Sequence, residues 1–371
     1  MQRVREELNA VDIVPYARVR HKGDVVVPRD PGGSSVAQAV LAERVGLPSE
    51  IQDFHAQPFL TPLAAAVFDR PDDFLRADPD ESLAPVAKGR ITRPEKLKLF
   101  HRWDGIGRLL VCTDAEVSPH DDTEIFGISK ADGELRHILS RVRRNWREIR
   151  MLNATAWGPM GALVCRIPLY GRYKMCGSLD DCSHMFHSFA ATVQRAHSNV
   201  ISGRWTGAEL SDGEAAHRYL LESGLAVRDQ EVPIFRCCFK GLGMGDQAAA
   251  DIATESHGNV VKASGGLRRE ERLIYRNAIP LSPHEYYEGI IVDDRMGMQR
   301  TLLHGGEQPQ VLRDRFAAVQ PWNAASGLAV KLSKSVREAI TFTGWGQQTE
   351  GRAGPSWPVR SRLCSWMRAP P

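Results

Sequence analysis

Two adjacent aspartates interrupt a run of β-forming residues, and this arrangement constrains the fold more than any other part of the sequence. Residues 287–292 are rich in β-formers, Asp293 and Asp294 follow, and an apolar pattern resumes over 296–298. The pattern predicts a β-hairpin with both aspartates at or beside its turn, held on a rigid support by the apolar strands. The alternative is a turn that simply accommodates Asp.

A second pair of adjacent acids, Asp180 and Asp181, follows a short strand-like run and precedes Phe186. Two acidic strands together offer the carboxylates that a shared divalent ion needs. Mg²⁺ takes one or two carboxylates and completes its shell with water and phosphate oxygens. Two such ions can clamp the attacking and leaving oxygens of a phosphoryl transfer. In the alternative interpretation, one aspartate of each pair is a turn residue and the other caps a helix.

Cysteines and histidines beside this second pair allow a different metal site. Cys176, Cys182, His184 and His187 could bind zinc together, but their C-x5-C-x-H-x2-H spacing matches no common zinc motif. The chain has seven cysteines, an odd number without a pairing framework. They indicate reduced thiols in an intracellular protein.

A glycine-rich turn precedes a predicted helix over residues 247–262. Gly241, Gly243 and Gly245 permit close backbone approach, and Asp246 is suited to cap the helix. Such a turn offers free N–H groups and the positive end of the helix dipole to a phosphate. It lacks both the Walker loop and the G-x-G-x-x-G pattern. A tight turn before a core helix is the alternative.

An arginine-rich segment concentrates positive charge in a nearly neutral chain. The chain carries 48 Lys and Arg against 45 Asp and Glu, a net charge of +3. Residues 131–134 predict a hairpin turn between two short strands. The arginines after it suit the phosphate of a nucleotide or of a nucleic-acid backbone, although a solvated face is the alternative. They are Arg136, Arg141, Arg143, Arg144, Arg147 and Arg150.

Composition and local patterns set the remaining expectations. With 42% hydrophobic and 25% charged residues, the chain can form a core. No apolar run reaches the roughly 18 to 20 residues of a membrane span, and the charged N-terminus lacks the apolar core of a secretory signal. We therefore expect a protein of the nucleus or cytoplasm. Locally, the patterns predict helices over 36–44 and from Pro94 to near Gly105, and an exposed linker over 69–85.

The order of these features resembles the reverse transcriptase family. A basic hairpin, an acidic strand with an aromatic residue five positions later, a glycine turn with a helix, and a hairpin tipped with Asp-Asp follow one another from about Leu97 to Gly351. The resemblance is closest to the RNA-directed DNA polymerase domains of eukaryotic retroelements. It implies an α+β right-hand polymerase fold with fingers, a palm and a short or missing thumb. The palm would be an antiparallel ferredoxin-like sheet with helices on one face.

The resemblance also implies a division of the chain. Residues 1–90 would be a helical and loop-rich N-terminal region, 91–175 a fingers-like region, 176–350 a palm with an acidic metal site, and 351–371 a frayed or truncated tail. The implied cofactor is Mg²⁺ or Mn²⁺. The implied partners are an RNA or DNA template, a primer strand and deoxynucleoside triphosphates, with no membrane.

By resemblance, five residues form the centre of the site. Asp181 matches the metal-binding aspartate of the first palm motif, and Asp293 and Asp294 match the two aspartates of the Tyr-x-Asp-Asp motif. The first of these two is the essential metal ligand in the family. Lys130 and Arg136 match the fingers residues that hold the incoming triphosphate.

Further residues would surround the nascent base pair. Phe186 falls at the position of the aromatic residue that excludes a ribose 2′-OH, and Met244 and Gly245 belong to a segment similar to the Leu-Pro-Gln-Gly motif. Lys334 matches the lysine after the Asp-Asp motif, and residues 341–346 match the hairpin that grips the primer. The basic face would contact the template through Arg141, Arg143, Arg144 and Arg147.

This sequence departs from the family pattern at several positions. Ile291 replaces the usual Tyr, Gly243 the usual Pro, and Met244 the usual Gln. Ser140 stands where Asp is common, and His184 where many members have a second acid. None of these changes removes a metal ligand. The alternative function is a catalytically inactive, nucleic-acid-binding remnant of such an enzyme.

Overall fold

The computed structural model describes residues 36–352, except 81–82, 131–132, 160, 165, 170, 211–212, 224–233, 276, 305 and 346, together with the backbone of 361–363. Residues Ser34–Arg362 belong to one compact unit. No helix in the described ranges is both long enough and apolar enough to cross a membrane.

Helices and antiparallel strands are mixed along the whole described chain. The helices are α1 (Pro62–Asp69), α2 (Arg93–Gly105), α3 (Val142–Arg147), α4 (Gly161–Val164), α5 (Met185–Ser188), α6 (Val193–His197), α7 (Glu214–Ser223), α8 (Ala249–Ala263) and α9 (Gln310–Ser326). The strands are β1 (Leu109–Cys112), β2 (Glu124–Ser129), β3 (Leu135–Ser140), β4 (Tyr173–Asp181), β5 (Val200–Thr206), β6 (Ile234–Phe239), β7 (Tyr286–Ile291), β8 (Asp294–Leu302), β9 (Val336–Ala339), β10 (Thr341–Gly344), β11 (Gln347–Glu350) and β12 (Ser361–Leu363).

The largest sheet has the strand order β7-β8-β4-β9, with antiparallel neighbours. Both of its faces are covered, because consecutive residues of β7, β8 and β4 are buried and successive side chains of a strand point to opposite faces. Helix α9 packs on one face through Leu312 and Phe316, which join Tyr286 in a buried cluster. On the other face, Phe342 of β10 packs with Met296 and other buried residues. This sheet therefore holds the ends of β4 and β8 in a fixed register.

A second sheet, β1-β6-β5, and the β2–β3 hairpin form the other part of the described unit. Helix α2 covers this part with Leu99, Phe100 and Trp103, all fully buried. Val40 joins the same cluster. Segments on both sides of residue 90 therefore share one core.

Several local predictions are confirmed. The β2–β3 and β7–β8 hairpins form where the turn residues predicted them, and β10–β11 forms a hairpin over the segment 341–346. Helix α2 ends at Gly105 and has Pro94 in its first turn, as its sequence predicts. Helix α8 begins at Ala249, close to the predicted start.

One prediction in the N-terminal part is wrong and another is wrong in part. Residues 36–44 do not form an α-helix, since only Ala42–Arg44 adopts a single 3-10 turn. The expected linker over 69–85 is folded against the core at its start, where Pro71 and Phe74 are buried, whereas most of the described residues from 77 to 85 are exposed, as predicted. Acidic composition was misleading at the start of the segment, since one of its carboxylates pairs with a buried arginine. The expected tail after Arg352 lies largely outside the described residues.

Candidate active site

One cleft brings together most of the residues singled out by the sequence. It has a volume of about 710 Å³ and lies between the β2–β3 hairpin and the end of the four-stranded sheet. The hairpin contributes two cations, the sheet contributes carboxylates, and the segments after β4 and before α8 complete the lining. The predicted residues that line it are Lys130, Arg136, Asp181, Phe186, Met244, Asp293 and Lys334.

Asp181 is the last residue of β4, and only this member of the Asp180-Asp181 pair lines the cleft. Successive residues of a strand point to opposite faces, so the two carboxylates separate. Asp180 is buried, where it accepts hydrogen bonds from Arg337 at 2.7 Å and from Ser335 at 2.8 Å. Asp181 instead accepts a hydrogen bond from Lys334.

Asp293 lies in a two-residue turn, since Ile291 and Asp294 are paired at the ends of β7 and β8. Its neighbour Val292 has φ of +54°, a conformation that is rare for a β-branched residue. Helix α8 fixes this peptide on both sides. The Val292 N–H donates to Thr254 Oγ1 at 3.0 Å, and the Val292 carbonyl accepts from His257 Nδ1 at 2.9 Å.

The aspartate turn is also joined to β4. The backbone N–H of Cys182 donates to the Asp293 carbonyl at 2.9 Å. Asp181 is directly opposite Asp294 in the β4–β8 register. The sheet therefore gathers the three carboxylates at one end of two neighbouring strands.

Burial and neighbouring carboxylates perturb the ionisation of Asp293 and Asp294. Burial, followed by the charge of Asp181, raises the pKa of Asp293. Burial, followed by the charges of Asp293 and Asp181, raises the pKa of Asp294 to about 7. Asp294 is exposed to solvent. A cation bound here would offset the repulsion between the carboxylates and so oppose the rise in their pKa values.

The donor set fits a hard divalent cation. Carboxylate oxygens are the ligands that Mg²⁺ and Mn²⁺ prefer. The pKa values of Asp293 and Asp294 are raised first by burial and then by the neighbouring negative charges. Among the described residues, no three His, Cys, Asp or Glu side chains are grouped closely enough to hold a metal ion. An ion here would therefore take at most two carboxylates, with Asp181 and Asp293 the ones that line the cleft.

Cations face the carboxylates from both sides of the cleft. Arg136 is exposed on β3, and Lys130 forms an ion pair with Glu134 at 2.7 Å. The charges of Arg136 and Lys334 lower the pKa of Asp293 and so oppose the effect of burial. The hairpin is thus close enough for its arginine to influence the aspartate turn.

The glycine turn forms another wall, and its backbone is tied to β3. The Leu139 N–H donates to the Met244 carbonyl at 2.7 Å. Gly245 has φ of +116°, and a Cβ there would collide with the Leu139 carbonyl oxygen. The Leu242 N–H donates to the Phe186 carbonyl at 2.9 Å. The positions of Met244 and Phe186 in the cleft are therefore coupled to the hairpin.

Arg141 and Arg144 correct the prediction of a template-contacting face. Both side chains are about 1% exposed or less. Arg141 forms an ion pair with Asp246 at 2.6 Å, and Arg144 one with Asp121 at 2.5 Å. A charge-dense sequence was taken for a surface, whereas these guanidinium groups are neutralised inside the protein.

The other two arginines of that prediction are less buried. Arg147 is largely covered and pairs with Asp121 at 2.7 Å, whereas Arg143 is half-buried. Asp246 departs from its predicted role as well. It accepts from the Ala248 N–H at 2.8 Å but mainly serves the buried arginines, including Arg195 at 2.6 Å.

The zinc alternative is wrong for the described residues. Cys176 packs in an apolar cluster beneath α9, whereas Cys182 lies 3.7 Å from His257 Nε2. His187 packs edge to face against His137, and among the described residues no three His, Cys, Asp or Glu side chains form a metal-binding group. The four predicted ligands therefore do not converge.

Some lining residues were missed by the sequence prediction. Lys331 and His137 line the cleft, and Thr254 and His257 hold the aspartate turn from behind. Thr254 and His257 are three residues apart on α8 and so share a helix face. That spacing is common to any helix, so no sequence signal distinguishes them.

The solved structures that resemble this chain are distant. Native prototype foamy virus protease-reverse transcriptase matches with a TM-score of 0.41 and 15% identity, over 69% of this chain and 26% of that one. The foamy viral protease-reverse transcriptase dRH in complex with double-stranded DNA matches with a TM-score of 0.44 and 14% identity, over 82% and 47%. This chain thus spans less than half of those chains. No known family and no curated protein matches. Likeness at this level carries no functional argument.

Proposed function

We propose that this chain is a template-directed nucleotidyl transferase, an RNA-directed DNA polymerase of the reverse transcriptase type. One observation supports it most. A single cleft of about 710 Å³ is lined by two carboxylates from neighbouring strands and by two cations from a hairpin distant in sequence. These are the groups that positioning and charge neutralisation of a triphosphate require. The motif order in the sequence agrees with the same activity.

Asp181 and Asp293 are the proposed metal ligands, and Asp294 adds negative charge beside them. Bound Mg²⁺ or Mn²⁺ would supply Lewis-acid stabilisation of the charge that develops during phosphoryl transfer. Lys334 donates a hydrogen bond to Asp181 and so orients that carboxylate. The Thr254 and His257 hydrogen bonds fix the turn, which limits movement of Asp293.

Lys130 and Arg136 are the proposed triphosphate contacts. Arg136 is exposed on the hairpin and has no aspartate or glutamate directly across from it, since its partner in β2 is Ile128. A guanidinium can donate two parallel hydrogen bonds to phosphate oxygens. Lys130 would exchange its ion pair with Glu134 for the phosphate.

Phe186, Met244 and Gly245 are proposed to surround the sugar and the base pair. Phe186 lines the cleft close in sequence to Asp181, where a ring can exclude a ribose 2′-OH by its volume. In this proposal residues 91–175 act as fingers and 176–350 as the palm. The β10–β11 hairpin would grip the primer, and partly exposed basic groups such as Arg143 would contact a template backbone.

A second candidate is a template-binding remnant without turnover. The specific observation in its favour is that the aspartates do not form a three-ligand metal group within the described residues. Lys334 also forms a hydrogen bond with Asp181, one of the two proposed metal ligands. This candidate predicts nucleic-acid binding that needs no divalent ion.

Primer extension tests the proposal. The assay uses an RNA template, a DNA primer, deoxynucleoside triphosphates and Mg²⁺ or Mn²⁺, with Asp293→Asn as the test variant. Asp314→Asn is the matched control, because that carboxylate is exposed on α9. We expect wild type and control to extend the primer and Asp293→Asn to lose at least about 10³-fold in rate. Template binding without extension by any variant would favour the remnant, and equal extension by all three would refute the metal site.

A further inference from the structure

A second cleft, separate from the first, lies behind helix α8. It has a volume of about 560 Å³, which is within the usual range for a small-ligand site. The loop before the first turn of α1, residues 151–154 and the segment after α8 complete its walls. None of its described lining residues is aromatic.

Two cations line this cleft, and neither forms an ion pair with another described residue. Lys262 donates a hydrogen bond to Asn259 at 3.0 Å. Arg272 is half-buried, and within the described part of the chain its guanidinium forms no hydrogen bond or ion pair. Partial burial and the charge of Arg272 lower the pKa of Lys262. Two neighbouring positive charges thus repel each other in a partly desolvated position.

The acidic residue that lines the cleft, Glu255, forms no ion pair with Lys262 or Arg272 in the described part of the chain. Glu255 Oε1 accepts the backbone N–H of Thr61 at 2.6 Å, which orients that carboxylate toward the start of α1. The remaining polar groups include the exposed amides of Asn153 and Asn277. Amide N–H groups and two cations form a donor set for an anion.

We propose that the cleft behind α8 binds a phosphate-bearing ligand through Arg272 and Lys262. Phosphate presents tetrahedrally arranged oxygens, two of which a guanidinium can contact by parallel hydrogen bonds. Among the described lining residues none is aromatic, so they offer no stacking surface for a base. The cleft therefore recognises the phosphate groups of its ligand, which is either the backbone of a nucleic acid or free pyrophosphate. This inference is independent of turnover in the first cleft.

Charge removal at Arg272 is the test. Arg272→Gln is compared with Arg269→Gln, which removes the same charge from an exposed position three residues away that does not line the cleft. Both are made in the full chain with Lys130→Gln, so that binding in the first cleft is reduced equally. Binding of a 12-nucleotide oligothymidylate is measured by fluorescence anisotropy without divalent ions, and binding of pyrophosphate by calorimetry.

If the backbone of a nucleic acid is the ligand, Arg272→Gln weakens oligothymidylate binding at least about fivefold and lowers the salt slope of log K by about 0.7, the value for one phosphate contact on a single strand. A loss confined to pyrophosphate identifies the free anion as the ligand. If neither loss exceeds that of Arg269→Gln, the proposal is overturned. If Arg272→Gln folds poorly, Lys262→Gln replaces it in the same two binding assays. Its losses are compared with those of Arg269→Gln in the same way.

Discussion

Gly245 lies where the glycine turn passes the end of β3, and it illustrates how one residue fixes a wall of the first cleft. Its φ of +116° and its approach to the Leu139 carbonyl both exclude a side chain. We expect Gly245→Ala to lower the free energy of unfolding by about 3 kcal/mol or more, because strain and a backbone clash combine. Gly265→Ala is the control, since Gly265 has φ of +87° and open space around it. Its expected cost is about 1 kcal/mol, and equal losses in denaturant titration would contradict the argument.

Phe186 carries the proposed choice between deoxyribose and ribose. Its ring is partly buried against the core while it also lines the cleft, so its position is defined. Under the proposed function, Phe186→Ala should raise ribonucleotide use relative to deoxynucleotide use by at least about tenfold, because the steric barrier to the 2′-OH is lost. Single-nucleotide incorporation with matched dNTP and rNTP measures this ratio. An unchanged ratio would show that another residue excludes the ribose.

At the scale of the element, α8 supports the aspartate turn through two side chains. Thr254→Val removes the acceptor of the Val292 N–H while keeping the side-chain volume. We expect a loss of about 1–2 kcal/mol in unfolding free energy and, under the proposed function, slower nucleotide incorporation at unchanged template affinity. Ser256→Ala is the control on the same helix, since Ser256 bonds only to backbone carbonyls of its own helix. An equal loss of incorporation in the control would argue against a specific role for Thr254.

Local patterns predicted the elements more reliably than their contacts. The β7–β8 hairpin and α2 follow from β-forming runs, turn residues and a proline near the helix start, all within a few positions of each other. The support of Val292 by α8 depends on residues 38 and 35 positions away, and no local pattern records it. That Lys130 and Asp293 line the same cleft could be expected only from the resemblance to reverse transcriptases. The spacing of residues alone leaves the interpretation of each motif ambiguous.

At the scale of the whole molecule, acid should destabilise the fold through buried histidines. Burial lowers the pKa of His137 to about 4, against 6.5 for an exposed imidazole. The neutral ring therefore contributes its full stability above pH 6.5, and this contribution is lost as the pH falls toward 4. The expected loss from this group is about 3 kcal/mol.

His137→Phe is the variant that isolates this effect, because it keeps an aromatic ring beside Trp103 and removes the titrating nitrogen. Its unfolding free energy should fall less steeply than that of the wild type between pH 6.5 and 4. His217→Phe, at an exposed position, is the control. Parallel pH profiles for all three proteins, from urea titrations, would show that His137 does not carry the effect.

The misassigned arginines show where charge in a sequence misleads about the whole molecule. A run of basic residues predicts an exposed surface only if no acidic side chains neutralise it, and here Asp246, Asp121 and Glu148 do so. Glu148 belongs to the same run, but Asp246 and Asp121 lie on other segments, so only the folded chain reveals their pairing. The elements and the order of motifs were accessible from sequence, whereas the burial of individual charges was not.

The arginine network inside the fold also separates two responses to ionic strength. Mobile ions screen charges in water but do not reach pairs such as Arg141 with Asp246, which have no exposed side-chain surface. Under the proposed function, raising the salt concentration should therefore leave the melting temperature nearly constant while it releases bound nucleic acid. Washing in concentrated salt would then remove a polyanion from this protein without unfolding it.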